Sequence, residues 1–386
     1  MADKLRVAFV THLPNLSGAN QSLLDLLAGL QENQTVEPFV LLGRTGVLEE
    51  KLKELNVKYK VIRYGNLIQG DNSKWRTFSK NVLNQFAKFQ IAKWLKEESI
   101  DLVHNNSYLV GIGMEAAKLA KIPYICHLRD FVWEDHGIKL ENEARQEELL
   151  NQADAVIAVS HAVEKKYAPL SERIRVIYDA LDKEKYRISP DERAPLFSNE
   201  EVNLYIAGRI VPGKGQLDAV KAVELLNKRQ ERQFNLEIIG TATNQEYFDF
   251  IASYIEEKKL ADFVKLKEYS SDLRSLRLKS DIGLVCSHNE AMGRVTLENM
   301  LAGCLTIGAN SGGTSELIQS DRYGYLYDPS NPCNLADKIE EAIADPEEAS
   351  RRRDAAYQFV DESFNRQNYV KEIVALYEEA IERTKK

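Results

Sequence analysis

The chain has 386 residues, 44% hydrophobic and 28% charged, with a formal net charge of −8. That length predicts two domains of about 150 to 200 residues each, and the acidic balance argues against a nucleic-acid partner. No apolar run approaches the ~18 residues that would span a bilayer, and the amino terminus enters an apolar stretch at Val7 without a secretory signal pattern, so a cytoplasmic location is expected.

In chain order, the hydrophobic spacing predicts strand 5–10, a helix near 20–30, strand 38–42, helix 48–55, strand 58–62 and a long helix over 74–97. Strand 101–104, helix 113–120, strand 124–128, helix 141–151 and strand 155–158 follow. Such alternation implies a parallel sheet covered by helices on both faces. Residues 179–201, with Pro190, Pro195 and mixed charge, lack sustained periodicity and mark a boundary. A second series then runs through strand 203–207, helix 216–228, strand 235–239, helix 245–259, strand 263–266, helix 271–279 and strand 282–286. A helical pattern on Val295, Leu297, Met300 and Leu301, strand 305–309 and helices 334–344, 347–359 and 366–386 complete it. The fold class expected is α/β, with two Rossmann-like domains of parallel sheet, 1–185 and 190–365, facing a central cleft. The four cysteines are scattered without Cys-x-x-Cys spacing, which favours buried free thiols over bridges or metal ligands.

The stretch 280–316 concentrates the chemistry. A short strand stops at a polar loop, a helix follows, Gly303 closes it and another strand begins. In parallel sheets ligands gather at the carboxyl ends of the strands, where a helix amino terminus presents backbone N–H groups. Glu290 and Glu298, with seven residues between them, bracket that loop and the first helical turn. Two carboxylates beside a helix end suit an anion that also carries hydroxyls, as a sugar phosphate or sugar nucleotide does. Upstream, Gly208-Arg209-Ile210-Val211-Pro212-Gly213-Lys214-Gly215 follows a strand. Its glycines permit close backbone approach, and Arg209 and Lys214 bring two cations to where a diphosphate would need them. It is not a Walker loop, and Gly111-x-Gly113-x-x-Ala116 lies too far from its strand for a dinucleotide fingerprint.

Glu290 and Glu298, followed by Ala302-Gly303 and Gly312-Gly313-x-x-Glu316, together with the Gly-Arg-x4-Lys-Gly segment, resemble the retaining glycosyltransferases of family 4, which have the GT-B fold. The resemblance implies that Arg209 and Lys214 neutralise a leaving nucleoside diphosphate, that Glu290 binds donor-sugar hydroxyls and that Glu298 binds the ribose. Backbone amides around Met292, Gly293, Arg294 and Val295 would face sugar or phosphate. Gly18 would belong to the loop by which the first domain approaches the donor phosphate, where Ser17 departs mildly from the usual Gly-Gly. His127, at the end of strand 124–128, matches the family's histidine beside the donor sugar; a neutral imidazole there would accept a sugar hydroxyl or position an acceptor. Asp130 would cap a helix or bind the acceptor. The resemblance also implies that the last helix returns to the first domain.

The chain contains no Asp-x-Asp, the usual carboxylate clamp for a metal-bound sugar nucleotide, so no metal and no cofactor are expected. Residues 74–96 hold six basic and no acidic residues, interleaved with Trp75, Phe78, Phe86, Phe89 and Trp94. Either the aromatic stripe packs on the sheet and the lysines are its solvated face, or the helix contacts an anionic membrane and the acceptor is lipid-linked, for example polyprenyl-linked. The leading expectation is a retaining, metal-independent glycosyltransferase acting on a nucleotide sugar and a saccharide acceptor. A nucleotide-sugar epimerase of the same fold, a transferase using a small soluble acceptor and a non-catalytic sugar-nucleotide binder are the alternatives.

Overall fold

A computed structural model describes residues 4–11, 13–65, 74–132, 139–229, 231–270 and 272–385, the side chains of 74–77 excepted. The chain divides into two compact units: Met1–Leu181 with Phe364–Lys386, and Asp182–Ser363.

Unit 1 holds seven strands: β1 Leu5–Thr11, β2 Val36–Leu42, β3 Lys58–Val61, β4 Leu102–Asn105, β5 Tyr124–Leu128, β6 Ala155–Ala158 and β7 Ile174–Val176. Their order is β3-β2-β1-β4-β5-β6-β7, and every pairing is parallel. The order reverses direction between β1 and β4, the switch point at which doubly wound sheets bind ligands. Val7, Phe9, Leu102, Ile125 and Ile157 form one face of the core, buried against Leu23, Leu26, Leu27 and Leu30 of the helix Gly18–Asn33. The helix Arg366–Lys385 packs on the same core through Tyr369, Val370, Ile373 and Tyr377, at a spacing that puts all four on one face.

Unit 2 holds six strands: β8 Val202–Ala207, β9 Phe234–Ile239, β10 Val264–Lys267, β11 Ile282–Val285, β12 Leu305–Ala309 and β13 Tyr325–Tyr327. Their order is β10-β9-β8-β11-β12-β13, again all parallel, with the switch between β8 and β11. The strand ends named by the motifs, at Ala207 and Val285, are the two that flank this switch. Two Rossmann-like parallel sheets therefore stand as expected.

Several short elements lie outside the sequence reading: the helices His161–Tyr167 and Gly312–Ile318, and the edge strands β7 and β13. The helix expected over 271–279 begins at Arg274, and the first unit ends at Leu181 rather than 185.

The long helix Lys74–Glu97 divides its faces differently from the expectation that its aromatics pack on the sheet. Ala87, Ile91, Ala92, Trp94 and Leu95 are buried. Phe78, Val82, Phe86 and Phe89, at i, i+4, i+8 and i+11, form an exposed stripe, 40% to 67% accessible. Lys93 continues it in the open, whereas Lys80 turns to Glu141 at 2.5 Å. The side chains of Lys74, Trp75 and Arg76 lie outside the described residues.

Candidate active site

In unit 2 the loop after β8 and the loop after β11 are tied backbone to backbone, with the His288 N–H donating to the Gly213 carbonyl at 3.0 Å. Gly215 makes this approach possible. It sits at φ +65°, and a Cβ there would run into the Cys286 carbonyl, so no other residue suits both the torsion and the space. Gln216, buried at the start of the next helix, donates to the Arg209 carbonyl at 2.8 Å and braces the same loop.

The result is an ion pair. Lys214 Nζ lies 2.6 Å from Glu290 Oε2, with about a fifth to a third of each side chain exposed. Burial raises the Glu290 carboxyl, but Lys214, with Ser287 and Arg209, outweighs it and holds the group below the usual carboxylate range. Glu290 is thus an ionised acceptor, and its neighbours are the two cations expected to meet a diphosphate. Arg209 itself is exposed.

The Gly312-Gly313 pair, read from sequence only as part of a family pattern, has a steric cause. A Cβ on Gly312 would strike the Glu290 carbonyl, and one on Gly313 the Met292 carbonyl. The Gly313 N–H donates to that Glu290 carbonyl at 2.7 Å, and Ser311 Oγ donates to the His288 carbonyl at 2.5 Å. The helix Gly312–Ile318 is pressed directly against the loop bearing Glu290 and fixes its path. Met292 is buried in that loop, and Gly293, at φ +87°, precedes the helix Arg294–Leu301, whose first turn contains Val295. The leading N–H groups of such a turn have no intrahelical acceptor.

Glu298 lies one turn on and is oriented by a residue the sequence did not single out. Arg277 Nη2, from the helix Arg274–Lys279, sits 2.8 Å from Glu298 Oε2. The Arg277 side chain is 4% exposed, its Nε is 3.2 Å from the Tyr205 hydroxyl, and that hydroxyl donates to Asn299 Oδ1 at 2.5 Å. Nothing in local spacing marks Arg277, because the pair spans 21 positions and joins two helices.

Unit 1 contains a second cluster at the ends of β4 and β5. His127 is completely buried, and its ring meets His104, Arg129 and Asp179. Arg129 binds Asp179 through Nη1 at 2.8 and 2.7 Å and Asn106 Oδ1 through Nε at 3.0 Å. Tyr369 donates to Asp179 at 2.9 Å, and Tyr377 lies 2.7 Å from His104 Nδ1, so two tyrosines of the final helix end in this cluster. Burial and the Arg129 charge push the pKa values of both histidines well below 6.5. His104, Asp179, Tyr369 and Tyr377 carried no local signal; their sequence separations reach 273 positions.

Asp130 accepts the Val132 N–H at 3.2 Å and so caps a turn. Gly18 is the exposed first residue of its helix and has open space around its Cα. The loop before it is gathered by the buried Asn20, which donates to the carbonyls of Leu13 and Asn15 at 2.6 and 2.7 Å and accepts from Thr11. All four cysteines are free, and Cys126, Cys286 and Cys304 are buried.

Residues 16–185 match the family described as Glycosyltransferase Family 4, and residues 189–359 match Glycosyl transferases group 1. The chain is 25% identical to a glycogen synthase of Mycobacterium tuberculosis over 72% of this chain and 68% of that protein. It is also 25% identical to a D-inositol 3-phosphate glycosyltransferase of Paenarthrobacter aurescens over 64% of each. Among solved structures, Anabaena HepE in complex with UDP superposes with a TM-score of 0.80 at 23% identity, covering 96% of this chain and 99% of that one. A glycosyltransferase from Rickettsia africae gives 0.80 at 19% identity, covering 98% and 99%. The two matches together span most of both units, and the chain belongs to glycosyltransferase family 4, the group 1 enzymes of GT-B fold that transfer a sugar from a nucleotide sugar.

Proposed function

We propose that the enzyme transfers the sugar with retention of anomeric configuration, without a metal ion, to a hydroxyl of a lipid-linked saccharide. The observation that carries this reading is the Lys214–Glu290 pair beside Arg209 at the switch point of unit 2. When the bond from the anomeric carbon to the diphosphate oxygen breaks, negative charge grows on the leaving group. Arg209 and Lys214 stabilise that charge in place of a divalent ion. The acceptor oxygen then bonds to the same face of the anomeric carbon and its proton passes to the departing diphosphate, so no protein nucleophile is needed. Glu290, kept ionised by its cations, accepts from donor-sugar hydroxyls, and Glu298, oriented by Arg277, accepts from the ribose. Backbone N–H groups of Gly18 and of Met292 to Val295 take phosphate or sugar oxygens, and Asp130 binds the acceptor.

The HepE complexes contain UDP, UDP-glucose or UDP with glucose, which makes UDP-glucose the first donor to try. The product's anomeric coupling by NMR tests retention. Turnover that survives EDTA is expected; loss in EDTA, restored by manganese or magnesium, would overturn the metal-free reading.

The lipid-linked acceptor rests on the exposed Phe78, Val82, Phe86 and Phe89 stripe, with Lys88, Lys93 and Lys96 on the same acid-free segment. Peripheral contact with an anionic membrane would bury that stripe and place the lysines among headgroups. Among the described residues, no helix is long and apolar enough to cross a membrane. Flotation with anionic vesicles is expected, reduced by Phe86→Ser with Phe89→Ser and by Lys88, Lys93 and Lys96 to Glu. Lys80 is not a useful target because it is paired with Glu141. A parent protein that stays unbound at low salt would favour a soluble acceptor.

A further inference from the structure

The first turn of the helix Gln216–Arg229 stands behind both charged loops of unit 2. Gln216 holds the Arg209 carbonyl. Two residues on, the Asp218 carboxylate meets His288, whose Nε2 lies 3.3 Å from Asp218 Oδ2. A carboxylate only accepts, so the ring hydrogen facing it sits on Nε2. The Asp218 side chain is 13% exposed and the His288 side chain 37%, so the contact is sheltered from water on its acidic side. Ser330 Oγ, on the turn after β13, is also 3.3 Å from that nitrogen.

His288 is bound through its backbone as well. Its N–H reaches the carbonyl of Gly213, next to Lys214, and its own carbonyl accepts from Ser311, just before the glycine pair that presses on the Glu290 loop. One residue thus touches four segments: the loop after β8, the helix that follows it, the loop after β12 and the turn after β13. It stands two positions from Glu290. The backbone bond at Gly213 is one point of attachment between the charged loops. The ring on Asp218 is a second, and two points fix an angle that one leaves open. Asp218 and His288 are 70 positions apart, so no local pattern in the sequence joins them.

We propose that His288 and Asp218 are positioning residues: they clasp the Glu290 loop to the helix that also braces Arg209, and so hold Lys214 and Glu290 at the spacing that a donor meets. Neither side chain touches substrate in this role. Its service to transfer rests on the sugar-nucleotide reading above; the clasp itself does not.

Hydrogen exchange on the ligand-free full chain tests the clasp. His288→Leu should speed exchange of the amides that tie the loop down, at position 288 and at Gly313, by up to about tenfold, the scale of one hydrogen bond. His288→Gln, which keeps an N–H near the Nε2 position, should not. Asp218→Ala should reproduce His288→Leu, and combining the two should add nothing. Exchange unmoved by His288→Leu, Gln behaving as Leu does, or additive single effects would overturn the clasp whatever the enzyme transfers. Turnover with UDP-glucose tests what the clasp serves. His288→Leu should lower kcat by about tenfold to 10²-fold, the cost of a small misplacement, with Gln restoring most of it and both variants melting like the parent. A residue that acts through the Lys214–Glu290 pair loses its effect once the pair is gone. In a Lys214→Ala background, His288→Leu should therefore cost no more than about twofold, the margin within which independent effects scatter. An equal loss in both backgrounds would show that His288 does not act through the pair. A parent inactive on every nucleotide sugar tried would remove the site that the clasp serves, while exchange still decides the clasp.

Discussion

The two units use the same architecture and handle charge in opposite ways. At the switch of unit 2, Lys214 and Glu290 sit in a loop pinned by glycines, partly open to solvent, each able to exchange its partner for a ligand group. At the ends of β4 and β5 in unit 1, Arg129 and Asp179 are buried, with side chains 3% and 4% exposed, and every described contact of the pair is within that unit. A pair left half in water costs little to rearrange, whereas a buried one cannot lose a partner without stranding a charge. The first arrangement suits catching a charged ligand, the second suits holding a geometry still.

The comparison breaks most sharply at Asp179. Asp179→Asn leaves Arg129 buried without a counter-charge and should destabilise unit 1 by about 3–5 kcal/mol, read by denaturant unfolding. A loss under 1 kcal/mol would mean that water already reaches the guanidinium. Lys214→Ala, by contrast, should leave the melting temperature nearly unchanged while turnover drops by about 10²-fold or more, the scale of losing one group that stabilises developing charge. A raised Michaelis constant with unchanged turnover would make Lys214 a binding residue only.

Glu298→Gln should weaken UDP binding by about 1–3 kcal/mol, measured calorimetrically, since the amide accepts less strongly and Arg277 loses its anion. Equal affinity in mutant and parent would remove Glu298 from the ribose. Stability should also depend on pH. His104 and His127 titrate below their unfolded value of 6.5, so the unfolded chain binds more protons just below that pH. Their contribution is complete above pH 6.5 and is lost as pH falls toward the folded values, each histidine contributing about 1.4 kcal/mol per pH unit within that window. Glu290, also lowered, adds a loss only as pH falls below 4.5. Stability flat from pH 7 to 5 would mean that the histidines are not held neutral.

Central strands and long helices were legible because a buried parallel strand is a continuous apolar run and a covering helix has a 3.6-residue period. β7 and β13 were not, because three residues are too few to establish a period and Arg175 faces outward at the edge. The loops of unit 2 were readable because Arg209, Lys214 and Glu290 each sit within seven residues of a strand end. Their glycines announce close backbone approach even where the obstructing carbonyl, as with Gly312, is supplied by a distant loop. Asp179 fell at the start of a stretch read as an irregular boundary, yet it is buried and holds Arg129. Its importance is set by Tyr369, which is 190 positions away, and no local pattern encodes such a distance. The exposed phenylalanines show the converse: helical spacing identified one face of Lys74–Glu97 but could not say which face the protein would cover.

Because the chain leaves unit 1 at Leu181 and re-enters it at Phe364, unit 2 is an insertion within unit 1. During synthesis unit 2 emerges whole and can fold as soon as Ser363 clears the ribosome. Unit 1 must wait, with Asp179 and His104 lacking their tyrosines and the core face that receives Tyr369, Val370 and Ile373 uncovered, until the helix Arg366–Lys385 arrives. The unit whose strands precede unit 2 is therefore completed after it, and removing the helix Arg366–Lys385 would strike that earlier unit.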